Sequence, residues 1–172
     1  MLSLGSSFER QRKYNEAEAV FRQMIAADPR NADALNSLGY MFAERGLRLD
    51  EAVSLVERAL VIEPGNGAYL DSLGWAYYRQ NRFEQAEGPL RDAAKQLPTI
   101  SVIQSHLGDL LGKRGLYQEA IDAWQRALDG DGDGVTVGSG DGVGDGVGPA
   151  GVGDGDGVGV AQLPEPEIFT SS

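Results

Sequence analysis

The chain has no cysteine and one histidine, His106. Without cysteine there is no disulfide framework and no thiolate metal site. A lone imidazole has no partner with which to complete a metal or nucleophilic set, so His106 reads as a polar side chain rather than a ligand. Long apolar runs are also missing. No stretch approaches the roughly 18 consecutive apolar residues of a membrane span. The opening MLSLGSSFER lacks the basic start and apolar centre of a secretory signal. Basic residues are absent from the last 44 positions, which hold seven Asp and two Glu for a charge of −9; the first 128 hold all 15 Lys and Arg and 17 of the 26 acidic residues, for −2. An acidic chain without a basic stripe is the wrong partner for a phosphate backbone, so nucleic acid is excluded. No phosphate-cradling Gly loop, Ser nucleophile elbow or paired-carboxylate cleft is present. Adjacent carboxylates such as Asp50-Glu51 stand at a helix start, where they complement its dipole. Neither an enzyme nor a cofactor is expected.

What the chain does have is a period. Leu-Gly pairs stand at Leu4-Gly5, Leu38-Gly39, Leu73-Gly74 and Leu107-Gly108, separated by 34, 35 and 34 residues. Small residues follow at Ala17, Ala52, Ala86 and Ala120, separated by 35, 34 and 34, and prolines at Pro29, Pro64 and Pro98, separated by 35 and 34. Three markers sharing one spacing define an array of a repeated unit. The stretch Gly67 to Pro98 reads as two amphipathic helices joined by a short polar turn. Gly inside a helix costs about 1 kcal/mol against Ala, so four of them at one place in each unit imply close approach of the paired helix, with the four alanines opposite. A unit of this length is below the roughly 40 residues at which a core becomes self-sufficient. Each must bury its apolar face on its neighbours, which gives a solenoid.

Unit three reads Leu70-x2-Leu73-Gly74-x2-Tyr77, Ala86-x3-Leu90, Pro98; unit two reads Leu35-x2-Leu38-Gly39-x2-Phe42, Ala52-x3-Val56, Pro64. Unit one keeps Leu4-Gly5-x2-Phe8, Ala17-x3-Phe21 and Pro29, and unit four Leu107-Gly108-x2-Leu111 and Ala120-x3-Trp124 without a closing proline. This pattern resembles the tetratricopeptide repeat family, W-x2-L-G-x2-Y…A-x3-F…P, with the first Trp replaced by Leu or Gln. The wording LDSLGWAYYRQ…HLGDLLGKRG…EAIDAWQRAL is similar to the C-terminal repeats of long bacterial members. The resemblance implies an all-α superhelix of about four helix-turn-helix units over residues 1–129 (units 1–31, 32–66, 67–100 and 101–129). Met1 stands where the residue before the Leu-Gly motif belongs, so a longer array upstream is expected.

Local signals place the helices. Asn15 followed by Glu18 resembles a capping box for the second helix. Later helices are expected near 32–45, 50–62, 68–80, 83–96, 101–114 and 117–128. Gly88-Pro89 predicts a bend in the sixth, since both residues disfavour helix interiors. From residue 130 the composition turns to alternating Gly and Asp, which cannot bury enough apolar surface to offset chain entropy; residues 130–172 read as a disordered acidic tail. Asp129-x-Asp131-x-Asp133-Gly134 opens like a calcium loop, but its twelfth place is Gly140 instead of Glu, so diffuse cation attraction is the expectation.

In the tetratricopeptide family the first helix of each unit lines a concave groove. Helical spacing from the Leu-Gly pair puts Asn36, Tyr40 and Glu44 there in unit two, Asp71, Trp75, Tyr78 and Arg79 in unit three, and Ser105, Asp109 and Lys113 in unit four. His106 is expected on the groove side. Trp75 and Tyr78 are one turn apart, and aromatics beside an Arg are favoured interface anchors; Trp75 packing between units is the competing reading. The resemblance implies an adaptor holding a peptide or protein segment. Self-association through the uncapped ends, where Ile121, Trp124 and Leu128 lack a covering helix, is the alternative. The compartment is not specified by the sequence.

Overall fold

The computed structural model describes residues 1–130. The Gly/Asp-rich tail expected at 130–172, with the calcium-loop-like Asp131 and Asp133, lies outside the described residues from 131 onward. Eight helices follow one another: α1 (Leu2–Arg10), α2 (Tyr14–Ala27), α3 (Ala32–Arg45), α4 (Leu49–Ile62), α5 (Gly67–Arg79), α6 (Phe83–Gln96), α7 (Ser101–Lys113) and α8 (Tyr117–Gly130). Among the described residues there is no strand. Each odd helix packs on the even one after it, and the odd helices also touch one another in series. The even helices pack their backbones only on odd ones and meet one another through side chains at the surface. The odd helices therefore form an inner layer and the even ones an outer layer, the two layers of a curved helical solenoid.

The four repeated glycines set the spacing within each pair. A Cβ on Gly5 would come within 2.4 Å of the Phe21 ring, on Gly39 within 2.6 Å of Val56 Cγ2, on Gly74 within 2.5 Å of Leu90 Cγ and on Gly108 within 2.5 Å of the Trp124 indole. The expected alanines are also at this contact, but through their backbones: the carbonyl oxygens of Ala52 and Ala86 lie 3.0 and 3.1 Å from the missing Cβ of Gly39 and Gly74. Ala17, Ala52, Ala86 and Ala120 are fully buried. The small residue lets the outer helix approach; the large residue one turn later fills the notch that glycine leaves.

Turn chemistry repeats as well. The residue eight places after each motif leucine is left-handed: Arg12 (φ 58°), Gly46 (φ 63°), Asn81 (φ 60°) and Gly115 (φ 77°). Unit two carries one more left-handed residue in its longer turn, Arg48 (φ 48°). Asn31 and Asn66 cap α3 and α5, accepting from the amides of Ala34 (2.9 Å) and of Ala68 and Tyr69 (3.1 and 3.3 Å), which satisfies amides with no intrahelical partner.

One local expectation is corrected. Asn15 is not a cap: α2 begins at Tyr14, with Lys13 as the flanking residue and no side-chain cap bond. The left-handed Arg12 completes the turn and starts the helix earlier. Glu18 instead pairs with Arg22 (2.8 Å) and Arg48 (2.5 Å). Helix α6 runs from Phe83 to Gln96 through Gly88-Pro89. Burial of Ala86, Leu90, Ala93 and Ala94 holds the flanking turns, and the amide that Pro89 lacks would have bonded the carbonyl of Gln85, an exposed residue.

The two core clusters meet at Tyr77 and Tyr78. Across the outer layer, Arg22 bridges Glu18 and Glu51, and Arg91 bridges Glu87 and Glu119, all at 2.8 Å. Such exposed pairs contribute about 0–1 kcal/mol each, so they assist the register set by the core rather than define it. At the C-terminal end Ile121 and Leu128 are exposed. Trp124 is half-buried, because its indole covers Gly108 and Gly112.

Gly74→Leu is expected to destabilise by about 1–3 kcal/mol or more through overpacking against Leu90. Gly88→Ala meets nothing beyond its chain neighbours, but its Cβ crowds the Pro89 ring in a helical backbone, so the helix-propensity gain is offset and the change is expected to stay within about 1 kcal/mol. Urea unfolding followed by circular dichroism measures both, and equal midpoints for the two variants would contradict this packing.

Candidate functional site: the floor of the inner face

The inner helices bring side chains from all four units together. His106, on α7, is the centre. It is buried, and its Nδ1 lies 3.0 and 3.1 Å from the two carboxylate oxygens of Asp71 on α5. Its Nε2 faces Glu44 on α3 at 3.8 Å. The imidazole stacks on Trp75 with centroids 3.9 Å apart, and Trp75 stacks on Tyr78 at 4.7 Å. Tyr40 on α3 approaches the imidazole at 6.3 Å in a tilted arrangement. Arg79 sits 5.7 Å from the Trp75 ring and donates to the backbone carbonyl of Glu44, an acceptor in the last turn of α3.

Of the residues expected on the groove side, Tyr40, Asp71, Trp75, Tyr78 and Arg79 converge in this cluster. Trp75 is 9% exposed and belongs to the core cluster, so it packs between units while lining their inner side. Asn36 is also buried, at 4% exposure, and its Oδ1 has no hydrogen-bond partner; the same holds for Trp75 Nε1. Asp109 accepts a hydrogen bond from Trp124 Nε1 at 3.0 Å, which ties α7 to α8. Lys113 is exposed.

The electrostatics are dominated by carboxylates, of which Asp71 is buried and Glu9, Glu44 and Asp109 are partly exposed. Burial alone would lower the His106 pKa, but the charges of Asp71, Glu44 and Asp109 and the hydrogen bond to Asp71 together raise it above its usual 6.5. Burial, then the neighbouring charge of Glu44, pushes the Glu9 carboxyl up to about 7. Burial and the charges of Glu44, Asp71 and Glu9 hold the Tyr40 hydroxyl well above its ordinary range. Glu9 was not among the expected site residues. It lies five places after Leu4, as Tyr78 lies five after Leu73, so carrying the unit-three spacing into unit one finds it.

Two family models described as tetratricopeptide repeats match the chain, one over residues 2–69 and one over residues 67–95. This chain belongs to the tetratricopeptide repeat family. A TPR repeat-containing protein of Pseudomonas aeruginosa is 38% identical over 101 residues, which is 59% of this chain and 17% of that protein; the chain thus spans a small part of the relative's length. Among solved structures, MamA from Desulfovibrio magneticus RS-1 superposes with a TM-score of 0.63 at 17% identity, covering 76% of this chain and 73% of MamA. The pilF protein of Pseudomonas aeruginosa gives a TM-score of 0.62 at 22% identity, over 75% and 59% of the two chains. At these identities the likeness is one of fold, the helical solenoid of tetratricopeptide proteins. No helix among the described residues is long and apolar enough to cross a membrane.

The raised carboxyl of Glu9 has a stability consequence. The folded state binds its proton more tightly than the unfolded chain does, so this group's contribution falls as pH rises from about 4.5 to about 7. Glu9→Gln should therefore unfold at higher urea than wild type at pH 8, with the difference vanishing below pH about 4.5. A constant difference across that range would show that Glu9 is not held in a buried, negatively charged setting.

Proposed function

We propose that this array is a protein-interaction adaptor, not an enzyme, and that its inner face takes an extended or helical segment of another protein. The observation that carries this reading is the cluster on the inner layer: aromatic and polar side chains from α1, α3, α5 and α7 meet there, and two of its buried polar atoms, Asn36 Oδ1 and Trp75 Nε1, have no partner in the free chain. One is an acceptor and the other a donor, the pair that a peptide backbone supplies in return. Tyr78 and Arg79 stand at the rim, part-exposed, where residue types that dominate interface energies would be met first. Tetratricopeptide proteins are interaction scaffolds in general, which agrees with this use of the inner face. Stacking of copies through the array ends is a second reading, favoured by the exposed Ile121 and Leu128 and read by concentration-dependent sedimentation.

Capture of partners from a native extract, with wild type and with Tyr78→Ala, tests the groove. Tyr78→Ala should weaken capture by about 2 kcal/mol or more with helical content unchanged. Trp75→Ala should lose capture and part of its helical content together, because Trp75 also belongs to the core. If Tyr78→Ala folds and retains every partner, the inner face of unit three is not the site.

A further inference from the structure

We propose that the imidazole of His106 is a proton-operated clasp: charged, it holds Asp71 on α5 and Glu44 on α3 together; neutral, it keeps Asp71 and lets go of Glu44. The clasp does not depend on what the inner face binds.

The distances fix where each proton sits. His106 Nδ1 lies 3.0 and 3.1 Å from the two oxygens of Asp71. An ionised carboxylate only accepts, and a neutral imidazole carries a single N–H. That N–H is therefore on Nδ1, and Nε2 of the neutral ring is a bare lone pair. It stands 3.8 Å from Glu44 Oε1, acceptor against acceptor. With a second proton on Nε2 the same approach becomes an ion pair. At this separation it is too long for a hydrogen bond, so charge carries it. The hold on Glu44 thus belongs to the protonated ring alone, whereas the hold on Asp71 belongs to both forms.

The surroundings favour the charged ring. Its face lies on Trp75, with centroids 3.9 Å apart and planes 12° from parallel, and an indole face attracts a cation. His106 and Asp71 are both buried, where charges are screened least. The charges acting on the ring come from Asp71 on α5, Glu44 on α3 and Asp109 on α7 itself, with none from α6 or α8. Burial works against the cation, but these carboxylates outweigh it, and the ring titrates above its usual 6.5. The Tyr40 hydroxyl donates to Glu44 and is itself held well above its ordinary range, so Glu44 keeps a partner when the ring lets go. Arg79 is engaged with the backbone carbonyl of Glu44 and stays charged throughout.

Helix α7 packs on α5, α6 and α8 but not on α3; the imidazole is what spans the gap, reaching Glu44 and Tyr40. Release therefore loosens α7 against α3 without unfolding it. The folded chain binds this proton more tightly than the unfolded one. The clasp accordingly contributes fully below pH about 6.5 and is lost as pH rises through the folded-state value.

The test uses the full chain, labelled with 15N, whose single histidine gives one set of ring signals. NMR follows them across the imidazole range, from about pH 5.5 to about pH 9. The expected result is a midpoint above 6.5, a neutral form protonated on Nδ1, and backbone amide signals between Tyr40 and Glu44 that titrate with the ring. Glu44→Gln keeps the shape and removes the charge, and should lower the ring midpoint by about one unit. In His106→Gln the α3 signals should lose the component that follows the ring, keeping at most that of Glu9, whose carboxyl is pushed up to about 7. Wild type should also lose urea resistance relative to His106→Gln between pH about 6.5 and about 8.5; Glu9 is common to both chains, so its titration cancels. A ring midpoint at or below 6.5, a neutral form protonated on Nε2, or a midpoint unmoved in Glu44→Gln overturns the clasp. So do α3 signals that ignore the ring in wild type. If His106→Gln does not fold, the ring titrations of wild type and Glu44→Gln decide alone, because Glu44 is partly exposed and its substitution removes neither Asp71 nor Trp75.

Discussion

Everything in this array depends on a contact made four times: a glycine of the inner helix against a large side chain of the outer one. Gly5 meets Phe21, Gly39 meets Val56, Gly74 meets Leu90 and Gly108 meets Trp124. The partners differ in size and shape, from valine to tryptophan, yet the glycine does not vary. The contact is therefore a limit on distance before it is a fit of surfaces. Glycine brings the two helices of a unit close enough for the inner layer to be continuous, and that continuity places side chains of four units on one floor.

The inner face then departs from what a solenoid needs for stability alone. A buried histidine between two carboxylates, a carboxyl pushed up to about 7 and two orphaned polar atoms are costly features in a repeat whose core is otherwise well filled. Apolar side chains at these positions would make a more stable array. Ser37 Oγ, Ser101 Oγ and Gln104 Oε1 are likewise unpartnered, and local conflict of this kind agrees with the proposed use of the inner face for recognition.

The sequence made the helices legible because glycine, alanine and proline mark each unit by steric rules that operate within a few residues. Helix α3 runs from Ala32 to Arg45 and α6 from Phe83 to Gln96, as the pattern implied. An expectation failed at the start of α2, where Asn15 is no cap because Arg12 accepts a left-handed turn; Pro89 sits within α6, whose neighbouring turns are anchored on both sides. At the site, periodicity identified which residues share the inner face, but not which of them touch. That His106 would lie on Trp75 depends on how far α7 is displaced from α5, a distance no single unit encodes. Glu9 escaped notice because its unit was read as incomplete, although the same spacing reached it.

His106 gives this solenoid a property that its repeats do not share. Repeats of this kind contact only their immediate neighbours, so the loss of one unit is felt no further than the next. The imidazole on α7 passes α5 and reaches Glu44 and Tyr40 on α3, joining unit four to unit two. Three of the four units are thereby linked by a side-chain contact that skips a repeat. A change of curvature at the joint between units three and four therefore alters the distance from the imidazole to a carboxylate two units away.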